Sequence, residues 1–249
     1  MIFETEQCQK IAEKLSTFLS QKELCDWYNA PVPASLNEIC SNVYEEIAKT
    51  DGNYKKNCLL KEMLPAEFRS LDENQAINLA IWIIRKWGQI NRKFKNDGPT
   101  MALAKDFIKK AKNDEDDISK LSITGGISSL SKVLSFLRPE QYAICDSRVL
   151  FTLNWLICLT SEKNSAEIKI FRNLRSDNNK VKKVSKTKEL PVNKSICFTK
   201  YKQYCDAVTE LTEALKAKTG NSDWKFYYTE MLLFAIADSQ ELLNLIDNY

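Results

Sequence analysis

The chain has 249 residues, a hydrophobic content of 44%, a charged content of 28% and a formal net charge of +3. A chain of this size can bury a core without disulfides or structural metals, and six Gly and six Pro are too few for the many tight turns of an all-β sandwich or barrel. The sequence contains no His, which excludes His-based nucleophile pairs, general bases and metal sites; any catalysis must rest on carboxylates, Lys, Tyr or a thiol.

Helical periodicity dominates the first half of the chain and predicts four helices: residues 6–19, a helix beginning at Ser35, residues 72–91 and residues 100–111. Ser35 and Glu38 have the spacing of a capping box, which marks a helix start. The residues expected to face the core are Cys8, Ile11, Leu15, Phe18, Ile39, Val43, Ile47, Ile77, Ala80, Ile81, Ile84, Leu103, Phe107 and Ile108.

The second half predicts five helices. They are expected over residues 128–137, from Asp146, over 198–215, over 224–237 and after Ser239. The first should end near Arg138, because Pro139 disfavours helical geometry in the residue before it. The residues expected to face the core are Val149, Leu150, Leu153, Leu156, Tyr201, Cys205, Val208, Leu211, Leu215, Leu242, Leu243 and Ile246.

The predicted fold is therefore all-α. A polar stretch begins at Asn113 and divides the chain into an N-terminal helical subdomain, residues 1–112, and a second helical subdomain, residues 113–249. We expect the two to pack as one compact unit. Residues 163–194 lose helical periodicity and gain charge, which predicts a basic loop or mobile segment.

The eight Cys are scattered and form no CxxC pair, so they are interpreted as small buried hydrophobes in a reducing compartment. The N-terminus has no basic region followed by an apolar stretch. The longest apolar runs fall far short of the roughly 20 residues that a membrane span requires. These features predict a cytoplasmic protein that does not contact a membrane.

Basic residues concentrate between Arg172 and Lys188, with Asp177 as the single acid among them. Such a segment could follow a phosphate backbone. It could equally be a solvated loop or helix face, and the sequence leaves both interpretations open.

The most informative stretch runs from Gly125 to Leu156. Gly125 and Gly126 predict a tight turn whose backbone N–H groups open a helix, and a helix start of this kind can hold a phosphate. Lys132 lies on the first turns of that helix. Asp146 lies fourteen residues further along, at the predicted start of the next helix. A helix, a short turn and a second helix could bring this Lys and this Asp to one cleft.

Over residues 131–139 (SKVLSFLRP) and 142–149 (YAICDSRV), the chain resembles bacterial proteins of the 8-oxoguanine DNA glycosylase fold, which belong to the helix-hairpin-helix DNA glycosylase superfamily. A weaker resemblance covers residues 198–237. It rests on Tyr201, Tyr204, Glu230, Met231 and Phe234. The resemblance implies a helix-hairpin-helix glycosylase-like helical bundle in which a hairpin grips a DNA phosphate.

The resemblance also implies a reaction. Lys132 takes the position of the Lys nucleophile of bifunctional members, and Asp146 takes that of the catalytic carboxylate. The expected function is excision of a damaged or modified base from duplex DNA by N-glycosidic bond cleavage, with lyase activity if Lys132 attacks. Neither a metal ion nor a cofactor is expected. Some similar bacterial proteins lie near antiviral defence genes, which suggests a foreign or modified substrate and a defence-system protein partner.

The expected DNA contacts come from the hairpin region and from the basic residues around it. They are Gly125, Gly126, Ser128, Ser129, Ser131, Arg148, Arg172, Arg175, Lys182 and Lys183. The flipped base would enter a pocket with aromatic and apolar walls. Candidate walls, each of which could equally be core, are Trp82, Trp87, Trp155, Trp224 and Tyr227.

Structural roles remain open for each central residue. Asp146 could be only an N-cap, Lys132 could be a solvent-facing helix residue, and Arg148 could form a structural ion pair with Glu230. The alternative functions are a catalytically inactive nucleic-acid-binding module and a defence-accessory protein that binds another protein.

Overall fold

The computed structural model describes residues 2–90, 98–113, 115, 117–124, 126–161, 168–176, 178–188, 190 and 195–249. These residues are mostly helical, which confirms the all-α prediction in its coarse form, while the helix-hairpin-helix glycosylase bundle stays a prediction. The α-helices in the described ranges are α1 (Thr5–Gln21), α2 (Leu24–Trp27), α3 (Ser41–Ala48), α4 (Asn53–Ser70), α5 (Glu73–Trp82), α6 (Pro99–Ala111), α7 (Ile127–Leu137), α8 (Ser147–Thr160), α9 (Asn179–Thr187), α10 (Tyr201–Thr219), α11 (Phe226–Ala235) and α12 (Gln240–Asp247).

Helix α1 confirms the helix predicted over residues 6–19, and the four residues predicted to face the core are buried. The capping box expected at Ser35 is wrong. Residues Ala34–Glu38 form a 3-10 helix without a side-chain cap, and α3 begins only at Ser41. The Ser35 hydroxyl instead accepts a hydrogen bond from the Trp82 indole N–H at 3.0 Å, so a tertiary contact uses the group that the pattern assigned to capping.

Helix α5 begins as predicted, because Asp72 and Gln75 form a complete capping box. The helix changes at its C-terminal end into a π-helical turn, Ile83–Trp87, and Gly88 follows. A π-helical turn rotates the residues after it relative to a regular α-helix, and such turns are frequent at functional sites. Of the predicted inward residues of this helix, Ala80 and Ile84 are buried, while Ile77 and Ile81 are only half-buried.

In α6 the predicted inward residue Leu103 is exposed, whereas Phe107 and Ile108 are buried. Helix α4 was not predicted. This helix contains Pro65 and buries the polar residues Asn57 and Lys61. Its inward face is therefore not a continuous apolar stripe, which is the pattern that predicts a helix from sequence.

The second half follows its local start signals closely. Helix α7 ends at Leu137, next to the predicted end near Arg138. Asp146 caps α8, and Ser239 caps α12 by accepting from the Leu242 N–H. The predicted loop over residues 163–194 is contradicted in two stretches, whereas residues 172–176 do lie outside regular secondary structure. A strand β1 (Ile168–Phe171) and the helix α9 lie within it.

Strand β1 pairs in parallel with β2 (Ser195–Phe198), with Ile168 opposite Ser195 and Phe171 opposite Phe198. Asn154 of α8 fixes the end of β1, because its side-chain amide donates to the Phe171 carbonyl and accepts from the Phe171 N–H, at 2.9 and 2.8 Å. The small sheet is thereby joined to the helical core.

Helices from both halves of the chain pack on one another. Helix α1 lies against α8 and α10, α4 against α7, and α11 against α2, α8 and α10. Apart from Ile144, the buried hydrophobic side chains of the described residues belong to one cluster. The proposed division after residue 112 stays a prediction. Within the described ranges, we find no helix with the length and apolarity needed to cross a membrane.

Candidate functional site

A cavity of about 430 Å³ opens where the ends of several helices meet. Its walls come from α2 and the segment after it, the turn that follows the π-helix, α7, the start of α8, and α11 with the turn after it. The lining residues are Trp27, Tyr28, Asn29, Ala30, Pro31, Trp87, Gly88, Gln89, Lys132, Ile144, Asp146, Arg148, Glu230, Phe234, Ala235 and Asp238. The volume falls in the range of small-ligand sites, about 300–1,000 Å³.

Lys132 and Asp146 meet at the wall of this cavity. The Lys132 Nζ lies 3.4 Å from the Asp146 Oδ2, and the two side chains are only 7% and 13% exposed. Lys132 is thus not a solvent-facing residue. The structure brings together the two residues that the sequence singled out, although they lie on different helical segments.

Asp146 uses its two carboxylate oxygens differently. Its Oδ1 accepts from the backbone N–H groups of Arg148 and Val149 at 2.9 and 3.1 Å, which caps α8. Its Oδ2 faces Lys132. The predicted N-cap is confirmed, and capping leaves the second oxygen at the cavity. The cap also fixes the orientation of the carboxylate, because two main-chain donors hold one of its oxygens.

Lys132 reaches the cavity by passing directly over Gly88. A Cβ at position 88 would lie 2.6 Å from the Lys132 Cδ and 2.9 Å from its Cε, both inside any real contact distance. The Gly88 N–H is bonded to the Ile83 carbonyl at 2.7 Å, so the π-helical turn delivers this glycine to its place. Gln89 next to it has a positive φ of 53°, an uncommon conformation for a residue with a side chain.

The segment that leads to Asp146, residues 142–146, is buried although it is neither helix nor strand. A buried backbone without regular structure must find side-chain partners for its polar groups. Two tyrosines of α10 supply them. The Tyr201 hydroxyl donates to the Ala143 carbonyl at 2.7 Å, and the Tyr204 hydroxyl donates to the Ile144 carbonyl at 2.6 Å.

Two further side chains hold the N–H groups of this segment. The Ile144 N–H donates to the Glu230 Oε2 at 3.4 Å, and the Cys145 N–H donates to the Ser131 Oγ at 2.9 Å. Ser131 is fully buried and its hydroxyl has a structural role, which argues against the predicted contact with DNA. Together with the tyrosines, these side chains fix the backbone immediately before Asp146.

Glu230 is also paired with a buried cation. The Lys61 Nζ lies 3.2 Å from the Glu230 Oε2, and both side chains are almost completely buried. Lys61 further donates to the Ser135 carbonyl at 3.4 Å and lies over the Phe136 ring, 4.7 Å from its centroid. Burial raises the pKa of the Glu230 carboxyl and lowers the pKa of Lys61, while their mutual attraction opposes both shifts.

Arg148 forms an ion pair with Asp238, and not the alternative structural pair with Glu230. Its Nη2 donates to the Asp238 Oδ1 at 2.8 Å, and its guanidinium carbon lies 4.1 Å from the Phe234 ring centroid. Asp238 in turn accepts from the Asn178 side chain at 2.8 Å. Arg148, which was expected to contact DNA, therefore lies on the cavity wall, where it stacks on the Phe234 ring and pairs with the Asp238 carboxylate.

The aromatic walls differ from those expected. Of the five predicted candidates, Trp87 lines the cavity, whereas the other four are buried elsewhere in the core. The remaining aromatic walls are Trp27, Tyr28 and Phe234, which come from α2, from the residue that follows it and from α11. Three carboxylates (Asp146, Glu230, Asp238) and two cations (Lys132, Arg148) also line the cavity, so its wall is not basic.

The other predicted DNA contacts divide into two groups. Ser129 is buried, which argues against a direct contact, whereas Ser128 is half-buried and Gly126 precedes α7. Gly125 lies outside the described residues. Arg172, Arg175 and Lys183 are exposed and Lys182 is partly exposed, so they remain available to a ligand.

Sequence patterns did not single out Trp27, Gly88, Lys61 or Asp238 as site residues. Lys61 offered one signal, since it interrupts the apolar positions of α4 with a charge. Gly88 offered another, as one of only six glycines in the chain.

No protein-family model matches the chain. A search of curated proteins found no match, and no solved structure matches the fold. Among the described residues, no group of three or more Cys, Asp or Glu is arranged to hold a metal ion.

Proposed function

We propose that the cavity receives a nucleobase extruded from duplex DNA and that the protein cleaves the N-glycosidic bond of that nucleotide. The observation that carries the proposal is the Lys132–Asp146 pair, 3.4 Å apart, on the wall of a cavity with aromatic sides. The resemblance of residues 131–149 to helix-hairpin-helix glycosylases supports the same reaction.

Asp146 is the catalytic carboxylate in this proposal. Breaking an N-glycosidic bond leaves positive, oxocarbenium-like charge on the sugar, and a fixed carboxylate in a water-poor site stabilises such charge. The Asp146 Oδ1 is held by two backbone N–H groups, which leaves Oδ2 to face the sugar. The carboxylate therefore needs little reorganisation when charge develops.

Lys132 is the nucleophile of a bifunctional variant of the reaction. A neutral amine can donate its electron pair to the anomeric carbon while the bond to the base breaks and the base leaves with the bonding pair. The amine attacks only after it has given up a proton to solvent, so that Asp146 keeps the negative charge that faces the sugar. If Lys132 does not attack, a water molecule attacks the anomeric carbon instead and no covalent intermediate forms.

The cavity walls suit a planar, partly polar ligand. Trp27, Trp87 and Phe234 offer ring faces or edges for stacking, which stabilises an extruded base. Asn29 and Gln89 are exposed amides at the same wall and can exchange hydrogen bonds with the edge of a base.

The test is a panel of DNA duplexes, each containing one damaged or modified base, with mass spectrometry of the released base and borohydride trapping of a covalent adduct. We expect release from at least one duplex and a trapped adduct that is lost in Lys132→Gln. Lys202→Gln is the matched control, because Lys202 forms an exposed ion pair with Asp206 at 2.8 Å. Binding without release from any duplex would identify an inactive nucleic-acid-binding module, and a lack of binding would favour a protein-interaction role.

A further inference from the structure

Helix α9 is a short basic helix that the proposed reaction does not use. Its sequence, NKVKKVSKT, contains four lysines and no acid, and Lys188 follows directly. The Asn178 side chain caps it by accepting from the N–H groups of Lys180 and Val181 at 3.0 and 3.1 Å. The cap gives this charged segment a defined helical start.

The apolar side of α9 faces the protein. Val181 is buried and Val184 is half-buried. At about 100° per residue, Lys182, Lys183 and Lys186 point away from Val181. Within the described parts of the chain, the side chains of these three lysines form no hydrogen bond and no ion pair. We call them the α9 lysine face.

The α9 lysine face begins beside the cavity. The Asn178 side chain donates to the Asp238 Oδ2 at 2.8 Å, and the Lys180 Nζ donates to the Asp238 carbonyl at 3.1 Å. Asp238 itself lines the cavity and pairs with Arg148. At the other end of the helix, Lys188 donates to the Asp247 carbonyl at 3.1 Å. Both ends of α9 are thus tied to the C-terminal part of the chain.

We infer that the α9 lysine face binds the phosphate backbone of the nucleic acid whose base enters the cavity. This inference rests on the proposed function for the identity of the ligand. Neighbouring lysines without acidic partners repel one another, and a polyanion relieves that repulsion while releasing its own counterions. Lys182 and Lys186 are separated by a rise of about 6 Å along the helix, which matches roughly two nucleotides at about 3.4 Å per step.

The surroundings of α9 favour a nucleic acid over other anionic surfaces. A membrane-binding helix inserts its apolar face into the bilayer, but Val181 and Val184 are turned towards the protein. Asp238 contacts both the start of α9 and the cavity, so the helix and the cavity are neighbours and one nucleic acid could reach both. The segment before α9 carries two further exposed cations, Arg172 and Arg175.

The test measures binding of a fluorescein-labelled, unmodified DNA duplex by anisotropy as a function of salt. Lys182→Gln, Lys183→Gln and Lys186→Gln are combined in one variant. The matched control combines Lys49→Gln, Lys55→Gln and Lys218→Gln, three exposed lysines that lie directly after α3, on α4 and on α10. Circular dichroism checks that both variants are folded.

We expect the α9 variant to bind at least about tenfold more weakly at low salt and the slope of log K against log salt to fall by roughly three, one for each phosphate contact. The control variant should bind like the unchanged protein. Equal affinities for the α9 variant and the unchanged protein, or an equal loss in the control, would overturn the inference. Binding to anionic lipid vesicles with no binding to DNA would overturn it as well.

This readout is independent of catalysis. If no duplex releases a base but the α9 variant binds DNA more weakly than the unchanged protein, the proposed function fails and α9 remains a nucleic-acid contact. If base release is observed and the α9 variant binds normally, the proposed function stands and the inference about α9 fails.

Discussion

Glu230 accepts a hydrogen bond from the Ile144 backbone N–H at 3.4 Å, although 86 residues separate the two in the chain. Ile144 lies two residues before Asp146, and the same Glu230 oxygen binds the buried Lys61. Helices α4 and α11 thereby hold the segment that carries the proposed catalytic carboxylate. The site depends on a buried ion pair, one member of which, Glu230, also lines the cavity.

Replacing Glu230 with Ala should lower the free energy of unfolding by about 3–5 kcal/mol, because it leaves the Lys61 charge buried without a partner. The double variant Lys61→Met with Glu230→Leu should lose much less than the sum of its single variants, since neither charge remains. Denaturant unfolding of the single and double variants measures this coupling. Strictly additive losses would show that the two side chains do not interact.

Gly88→Ala should disturb both stability and activity. The added methyl group would overlap the Lys132 side chain, and overpacking of this kind costs about 1–3 kcal/mol. The same change in a Lys132→Ala background should cost less, because the Lys132 side chain has been removed; the part of the cost that comes from the Ile83 carbonyl oxygen, 2.9 Å from the added Cβ, should remain. Thermal or denaturant unfolding of the four proteins gives the coupling energy, and a cost that is independent of Lys132 would contradict the contact.

Ser131→Ala should destabilise the protein by about 1–3 kcal/mol, because it removes the acceptor of the buried Cys145 N–H. Ser128, on the same helix but half-buried, serves as the control. Ser128→Ala should leave the unfolding free energy nearly unchanged. If Ser131→Ala weakened DNA binding without changing stability, the original expectation of a direct DNA contact would be restored.

Alkaline pH should destabilise the protein through its buried thiols. Burial raises the pKa of Cys205 from 9.0 to about 12. The unfolded chain therefore loses this proton first, so the stability is fully present below pH 9 and falls as the pH rises from there towards 12. Relative to Cys205→Ala, the unchanged protein should lose up to about 1.4 kcal/mol per pH unit. Denaturant unfolding between pH 8 and 11 tests this, and parallel stability curves would contradict it.

Local sequence signals predicted the helix starts that local chemistry determines. Asp72, Asp146 and Ser239 cap their helices with their own side chains, so a short window of sequence was sufficient. Ser35 carried the same pattern, but its hydroxyl binds Trp82, 47 residues away. A window of four residues cannot contain such a competing partner.

The site was predictable only in part for the same physical reason. The Lys132–Asp146 pair could be proposed because one helix and one short segment connect the two residues. The contacts of Glu230 with Lys61 and of Arg148 with Asp238 span 169 and 90 residues. They depend on how α4, α8 and α11 pack, which no local pattern encodes. The π-helical turn that places Gly88 beneath Lys132 is equally hidden from the periodicity.

The most direct test of the central claim is Asp146→Asn. An Asn side chain keeps an oxygen that can accept from the Arg148 and Val149 N–H groups and still cap α8, but it removes the negative charge at the cavity. On a duplex that the unchanged protein processes, we predict that single-turnover base release falls by at least about a hundredfold while the circular dichroism spectrum is retained. Asp206→Asn, which neutralises an exposed carboxylate, should release the base at the unchanged rate. Base release that persists undiminished in Asp146→Asn would contradict the assignment of Asp146 as the catalytic carboxylate.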